Sequence, residues 1–252
     1  MECSHCYAPK HPANLDVNRI KEWLHELDDN GCIGVGFGGG EPTLYPKLAE
    51  LCSYATINTN LAITMTTHGH LLDNEFIKKL SGNLNFVRIS MDGVGSTYES
   101  IRNRSFDTLI ERVFAISSIS SFGINFVVNS RTFNDLDEAI KIASIYGASE
   151  FLLLPEVSIG RGTQINSEIS NNLKVWVNKY RGSVPLAISE GHTDGLPTCD
   201  PLKAETGLSA FAHIDASGIL KRSSYDTEGV AISDSGVLHS LQELSQKEEV
   251  VI

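Results

Sequence analysis

The chain of 252 residues contains no long hydrophobic run. Nowhere do apolar residues continue for the ~20 positions that a membrane-spanning helix requires. Its first residues also do not read as a positively charged segment followed by an apolar one, which is the pattern of a secretory signal. We therefore expect no membrane partner.

Positive charge is scarce. The sequence has 20 Lys and Arg against 31 Asp and Glu, which gives a formal net charge of -11. An overall charge of this sign does not attract phosphate backbones or anionic lipid. We expect no nucleic-acid partner.

Cysteine is also too sparse for a disulfide framework. Five cysteines are irregularly placed in a chain of this length, which fits a reducing, cytoplasmic location better than an oxidising one. A hydrophobic content of 41% is enough to bury one large core. The expectation is a single catalytic domain, and oxygen-sensitive metal chemistry is compatible with it.

The first feature that is present is a Cys-x-x-Cys pair, Cys3 and Cys6, followed directly by Tyr7. This spacing fits a redox dithiol, half of a zinc site or part of an iron-sulfur ligand set. The pair alone does not choose among the three.

Helical and strand patterns alternate along the rest of the chain. Asp16 can cap a helix with apolar residues at helical spacing that ends near Gly31. Strands are predicted over residues 33–37, 61–65, 86–91, 124–129 and 151–154, with helices between them. Such alternation predicts a parallel sheet of repeated strand-helix units, and so a (β/α) barrel or part of one.

Polar side chains lie at or just beyond the carboxyl ends of these predicted strands. They are Glu41, Thr67 with His68, Ser90 with Asp92, Asn129 with Arg131, and Glu156. Barrel enzymes place their chemistry at this end of the strands. The pattern predicts one site formed by several loops.

The segment Val35 to Pro42 begins in the first predicted strand and continues into a glycine-rich run that includes Gly39, Gly40 and Glu41. Glycines allow the backbone to approach a ligand closely and to adopt conformations closed to other residues. The alternative is a tight turn after a buried strand.

The cysteine pair and the Gly-Gly-Glu-Pro run together resemble the radical S-adenosylmethionine (SAM) superfamily. Cys3 and Cys6 match the last two cysteines of its Cys-x-x-x-Cys-x-x-Cys loop. The first would lie four positions before Cys3, two residues upstream of Met1, and the first barrel strand would precede it. The resemblance implies an α/β fold, a partial (β/α)6 TIM-type barrel whose first strand is missing from the sequence, with a short C-terminal hairpin extension.

Further motifs carry the resemblance. Ser90, Met91, Asp92 and Gly93 resemble the Ser-Leu-Asp-Gly signature of the SPASM-associated branch, and Thr67-His68-Gly69 resembles its Thr-Asn-Gly. The resemblance implies a 4Fe-4S cluster on Cys3 and Cys6 and a SAM site, with no protein general base. The implied SAM-binding residues are His5, Tyr7, Gly39, Gly40, Glu41, Pro42, Thr67, Ser90, Asp92, Arg102, Asn129 and Arg131.

Several of these residues have a plainer interpretation. His5 can be a solvated loop histidine or a substitute metal ligand. Asp92 can simply cap the turn with Gly93, and Arg102 can form a surface ion pair. Cys32 and Cys52 lie in apolar surroundings and are interpreted as small core residues.

The tail changes character after residue 182, where prolines and glycines break the periodicity. We predict a core barrel over residues 1–182 and a SPASM- or twitch-like extension over 183–252 that is degenerate or truncated. Residues 211–220 read as a hairpin. Cys199 could be the first ligand of an auxiliary cluster, but Ser223 occupies the place of the second, so no auxiliary cluster is expected.

The function implied by the resemblance is reductive cleavage of SAM to a 5'-deoxyadenosyl radical, for modification of a ribosomally made peptide. An electron donor such as flavodoxin or ferredoxin is the implied partner. The alternatives are a radical enzyme acting on a small molecule, and a SAM-binding barrel without catalysis because one cluster ligand is missing. A zinc or dithiol protein would explain neither the Gly39 to Pro42 run nor the Ser90 to Gly93 run.

Overall fold

The computed structural model describes Cys3, Cys6 and residues 13–189 and 207–249. Within these residues, no helix is long and apolar enough to cross a membrane.

Six parallel strands form one sheet in which spatial order follows chain order. This is the arrangement of a partial TIM-type barrel, because each strand returns beside the previous one through a helical connection. The strands are β1 (Gly34–Phe37), β2 (Ala62–Thr67), β3 (Phe86–Ser90), β4 (Ser121–Val128), β5 (Glu150–Pro155) and β6 (Leu186–Ile188).

Seven helices belong to this unit: α1 (Val17–Asp29), α2 (Leu48–Asn58), α3 (Asn74–Leu80), α4 (Ser96–Arg102), α5 (Phe106–Ser117), α6 (Leu136–Ile145) and α7 (Ser167–Lys179). Side-chain caps fix several of their starts by accepting backbone N–H groups that have no partner within the helix. Asp16, Asp73, Ser105 and Asn166 do so for α1, α3, α5 and α7.

Alternate residues of each strand point to opposite faces of the sheet. In β3, Val87 and Ile89 are fully buried in the core beneath the helices, whereas Arg88 and Ser90 lie half-buried on the other face. On that face Arg88 donates from Nε and Nη2 to Oε1 of Glu150, at 3.0 and 2.8 Å. The helix side is therefore an apolar core, and the opposite side carries polar groups.

A smaller unit follows the parallel sheet. Strands β7 (His213–Ile214), β8 (Ile219–Lys221) and β9 (Val230–Ala231) pair antiparallel, and helix α8 (Gly236–Glu249) packs beside them. The predicted hairpin is confirmed and gains a third strand.

The C-terminal unit packs on helix α1. Trp23 of α1, only 5% exposed, shares a core with Leu220, Val230, Val237 and Leu244. Polar contacts also hold the two parts together. The carboxylate of Glu26 accepts the backbone N–H groups of Val237 (2.8 Å) and Leu238 (2.9 Å) at the start of α8.

The predicted fold class is confirmed, and four of these helices and strands were not predicted: α4, α7, β6 and β9. Strand β6 lies beyond residue 182 and pairs with β5 in the parallel sheet. The division into a core over 1–182 and an extension over 183–252 stays a prediction.

Candidate active site

The predicted site residues lie along one edge of the parallel sheet. Gly39 to Pro42 follow β1, His68 follows β2, Asp92 follows β3, Asn129 follows β4 and Glu156 follows β5. This is the edge formed by the carboxyl ends of the strands, as the sequence pattern predicts.

The glycine-rich loop leaves open space on this edge. Gly39 has φ +98°, a conformation that L side chains rarely adopt, and a Cβ added at Gly38, Gly39 or Gly40 would meet no described atom within 4 Å. The loop ends at Glu41, which caps a short 3-10 helix over Pro42–Leu44. Pro42 supplies the fixed φ suited to the first position of a helix. The loop thus leaves room for a ligand and ends on a carboxylate.

The carboxylate of Glu41 is buried, with its side chain 6% exposed, and it accepts several hydrogen bonds. Oε1 accepts from Oγ1 of Thr67 at 2.6 Å and from both the backbone N (3.2 Å) and Oγ1 of Thr43. Oε2 accepts from the backbone N of His68 at 2.9 Å and lies 3.3 Å from its Nε2. Glu41 and Thr67 are therefore in contact, as expected from their positions at the ends of neighbouring strands.

A series of polar contacts runs from Glu41 through two histidines to a tyrosine. Nδ1 of His68 accepts from the backbone N of His70 at 3.1 Å, and Nε2 of His70 lies 2.7 Å from the hydroxyl of Tyr98. Burial lowers the pKa of His68, and burial together with the charge of His68 and nearby arginines lowers the pKa of His70 to about 4. Burial also raises the pKa of the Tyr98 hydroxyl.

Asp92 and Arg102 form a buried ion pair, with side chains 1% and 11% exposed. The backbone N of Val127 also donates to Oδ1 of Asp92 at 3.3 Å. Burial lowers the pKa of Arg102, but the charges of Asp92 and Cys3 outweigh it and the pKa is raised. Two residues predicted to bind SAM are thus paired with each other, and their role towards SAM stays a prediction.

Cys3 and Cys6 lie in a turn in which the backbone N of Cys6 donates to the carbonyl of Cys3 at 3.2 Å. Cys3 is 3% exposed and Cys6 half-buried. The backbone N of Arg161, in the loop after β5, donates to the carbonyl of Cys6 at 3.1 Å. Within the described part of the chain, no group of three or more His, Cys, Asp or Glu side chains is placed to hold a metal.

The side chains of Asn129 and Arg131, after β4, form hydrogen bonds with other residues of the protein. Oδ1 of Asn129 accepts from the backbone N atoms of Arg131 (2.9 Å) and Thr132 (3.1 Å), and its Nδ2 donates to Oε2 of Glu156 at 2.7 Å. Arg131 is exposed and donates to Oγ of Ser100 at 2.8 Å. Asn129 is thus joined to Glu156 at the sheet edge, whereas the Arg131 side chain reaches α4.

The remaining predictions concern Ser90, His5, Tyr7 and three further cysteines. Ser90 pairs in register with Asn125 of β4, whose buried Oδ1 atom has no hydrogen-bond partner among the described residues. His5, Tyr7 and Cys199 lie outside the described residues. Cys52 is fully buried, which raises the pKa of its thiol to about 12, and Cys32 is half-buried and donates to the carbonyl of Gly34.

Sequence reasoning included Thr67 in the site but missed His68 as a second partner of Glu41. His68 was recognised at a strand end but left out of the predicted site, although its place directly after Thr67 was a usable signal. His70 and Tyr98 gave no such signal, because their hydrogen bond joins residues 28 apart through a helix that was not predicted.

Comparison with known proteins gives a family match. Residues 1–144 match the profile described as the Radical SAM superfamily. Mycofactocin maturase MftC of Mycobacterium tuberculosis (strain ATCC 25618 / H37Rv) is 29% identical over 188 residues, which cover 71% of this chain and 48% of the relative. Fe-coproporphyrin III synthase of Methanosarcina barkeri is 26% identical over 179 residues, covering 68% and 45%. The chain spans about half the length of these curated relatives.

Solved structures share the fold. Streptococcus suis SuiB bound to S-adenosylmethionine has a TM-score of 0.70 at 14% identity, over 88% of this chain and 57% of that chain. Native anSMEcpe with bound AdoMet has a TM-score of 0.69 at 17% identity, over 98% and 78%. At these identities the likeness concerns the fold alone.

Proposed function

The chain belongs to the radical SAM superfamily, and from this premise we propose that it binds SAM at the carboxyl edge of the parallel sheet and cleaves it reductively. Enzymes of this superfamily use a 4Fe-4S cluster and SAM. The proposal assigns the amino group of SAM to Glu41 and the loop Gly39 to Pro42, and the ribose to the neighbourhood of Ser90.

The observation that carries the proposal is the Glu41 carboxylate beside open space. Burying a carboxylate is costly unless it is hydrogen-bonded, and Glu41 meets this condition through Thr43, Thr67 and His68. The ring of His68 is uncharged when its Nδ1 accepts a hydrogen bond. The carboxylate is therefore held by uncharged donors and keeps its attraction for an ammonium group.

The cysteine turn fits part of a cluster. Thiolates are the ligands that hold iron-sulfur clusters, and Cys3 and Cys6 place two of them on one turn near Arg102. Together with SAM, a bound cluster would supply the 5'-deoxyadenosyl radical that abstracts hydrogen from the substrate.

We assign each of the chain's own residues a positioning role. Glu41 would orient the amino group of SAM, and Cys3 and Cys6 would anchor the cluster. The loop after β5 contacts the cysteine turn through Arg161, and this contact would limit access of water to the turn. A radical abstracts hydrogen without a protein base, so no residue is assigned that task.

For the substrate, we favour a ribosomally made peptide. The support is the relative mycofactocin maturase, together with a solved neighbour, SuiB bound to precursor peptide SuiA. A small-molecule substrate is the second candidate, because Fe-coproporphyrin III synthase is a relative of similar identity. A one-electron donor such as flavodoxin or ferredoxin would supply the electron.

Anaerobic reconstitution of the full chain with iron and sulfide tests the proposal. We expect about four irons per chain and release of 5'-deoxyadenosine from SAM under reducing conditions. Cys6→Ala should abolish both, while Cys32→Ala, the matched control, should leave both unchanged. SAM binding without iron would instead support the SAM-binding barrel without catalysis, and binding of neither would contradict the family-based proposal.

A further inference from the structure

Two nitrogen atoms of His68 lie close to one oxygen of Glu41. Its backbone N donates to Oε2 at 2.9 Å, and its ring Nε2 lies 3.3 Å from the same atom. His68 is 8% exposed, and it follows Thr67, which holds the other carboxylate oxygen. One dipeptide at the end of β2 therefore contacts both oxygens of Glu41.

The hydrogen bonds also determine which ring nitrogen of His68 carries the proton. Nδ1 accepts from the backbone N of His70 at 3.1 Å, so it bears no proton. In the neutral imidazole the proton is then on Nε2, the atom that faces Glu41. Nε2, which lies 3.3 Å from the carboxylate oxygen, thus carries the ring proton, and the ring adds no positive charge that would compete with a cationic ligand.

The His68 ring is in turn held in place. The rings of His68 and His70 lie 5.7 Å apart, and His70 contacts the buried hydroxyl of Tyr98 at 2.7 Å. A ring packed in this way cannot easily rotate away from the Glu41 carboxylate. A side chain that is already fixed in place reduces the entropy lost when a ligand binds.

We infer that His68 is a positioning residue, which orients the Glu41 carboxylate through a neutral Nε2–H so that the carboxylate can bind the ammonium group of SAM. The inference rests on the proposed function and assigns a role to a residue outside the predicted site. Its distinctive consequence is that His68 affects only ligands that carry the ammonium group.

The test compares two ligands on the anaerobically reconstituted full chain by isothermal titration calorimetry. SAM carries the amino acid end, whereas 5'-methylthioadenosine has the same nucleoside without it. Loss of a polar partner of a buried charged group typically weakens binding about tenfold or more. We expect His68→Ala to weaken SAM binding by about this factor and to leave 5'-methylthioadenosine unchanged.

Three variants make the test specific. His68→Asn keeps a side-chain donor and should restore SAM affinity to within about threefold of the parent, since a neutral hydrogen bond is retained. His68→Ala should cause no further loss in a Glu41→Gln background. His25→Ala removes a histidine that contacts Tyr54 at 2.8 Å between α1 and α2, and it should not change the affinity for SAM.

The outcomes separate the inference from the proposed function. Equal weakening of both ligands by His68→Ala, or no effect on SAM, overturns the inference while parent binding stands. A parent chain that binds no SAM overturns the proposed function and the inference with it. Thermal unfolding of each variant identifies a folding defect, and His68→Asn then decides the outcome.

Discussion

At the scale of single residues, the strand-end rule located Glu41 and Thr67 correctly, because side chains at the carboxyl ends of parallel strands converge. It could not identify the buried Asp92–Arg102 ion pair, because the sequence left Arg102 open between a ligand contact and a surface ion pair, and burial of the pair depends on packing. The buried pair is as much a part of the fold as of the site.

Removing one partner of this pair should be strongly destabilising. Arg102→Met leaves Asp92 buried without its counter-ion, for which the cost is about 3–5 kcal/mol. Urea denaturation of the variant should show a loss of this size in the free energy of unfolding. Lys79→Met is the control, because the Lys79–Glu75 pair is exposed to solvent and contributes little to stability. Similar losses in the two variants would contradict the buried pairing.

The half-buried His70 should make the free energy of unfolding depend on pH. The pKa of His70 is lowered to about 4, mainly by burial, whereas in the unfolded chain it is ~6.5. The unfolded state therefore binds a proton first as the pH falls. The stability from neutral His70 is complete above pH ~6.5 and is lost between there and about 4.

Thermal unfolding at a series of pH values measures this effect. His70→Gln should lose less stability than the parent between pH 6.5 and about 4. His239, a half-exposed residue of α8 beside Glu243, provides the control variant His239→Gln. An unchanged pH profile in His70→Gln would contradict the role of His70.

At the scale of elements, most long periodic segments were predicted, but α7 was not, although it spans 13 residues and is capped by Asn166. Two shorter elements, α4 and β6, were also not predicted. Helix α4 begins after Gly95 at φ +51° without a side-chain cap, so no start signal precedes it. Strand β6 has three residues after Pro185, too few for an alternation to show. Its place in the sheet comes from pairing with β5, which local sequence does not encode.

The contact between Glu26 and α8 gives a prediction at this scale. Glu26→Ala removes the acceptor for the first backbone N–H groups of α8, and lost caps cost about 1 kcal/mol. We expect faster hydrogen exchange across α8 and little change in β2 to β5. Glu22→Ala, on an exposed face of the same helix, is the control. Equal exchange in both variants would show that Glu26 does not hold α8.

At the scale of the whole molecule, the packing of the C-terminal unit on α1 was not predicted. The periodicity shows that α1 is amphipathic, but it cannot show that Trp23 meets Leu220 and Val230 almost 200 residues later. The same limit applies to the site, where the loop after β5 meets the cysteine turn. Local patterns predict elements, and long-range contacts come from packing the complete chain.

Trp23→Ala tests this packing. Large-to-small substitution of a buried aromatic residue costs about 3–5 kcal/mol. We expect that loss in denaturant unfolding, with hydrogen exchange rising first in β7 to β9 and α8. Phe114→Ala, at a side chain 66% exposed, should change stability by less than ~0.5 kcal/mol. A loss confined to the parallel sheet would contradict the assignment of Trp23 to the C-terminal core.

The hydrogen bond from Arg161 to the carbonyl of Cys6 has a consequence for the order in which the protein is made. The ribosome releases Cys3 and Cys6 before the loop that contacts them, because that loop follows the fifth strand. During synthesis Cys3 and Cys6 must therefore remain without the contact from this loop until residue 161 has emerged. Insertion of iron and sulfide before that point would meet an open turn, and insertion after it would meet a covered one.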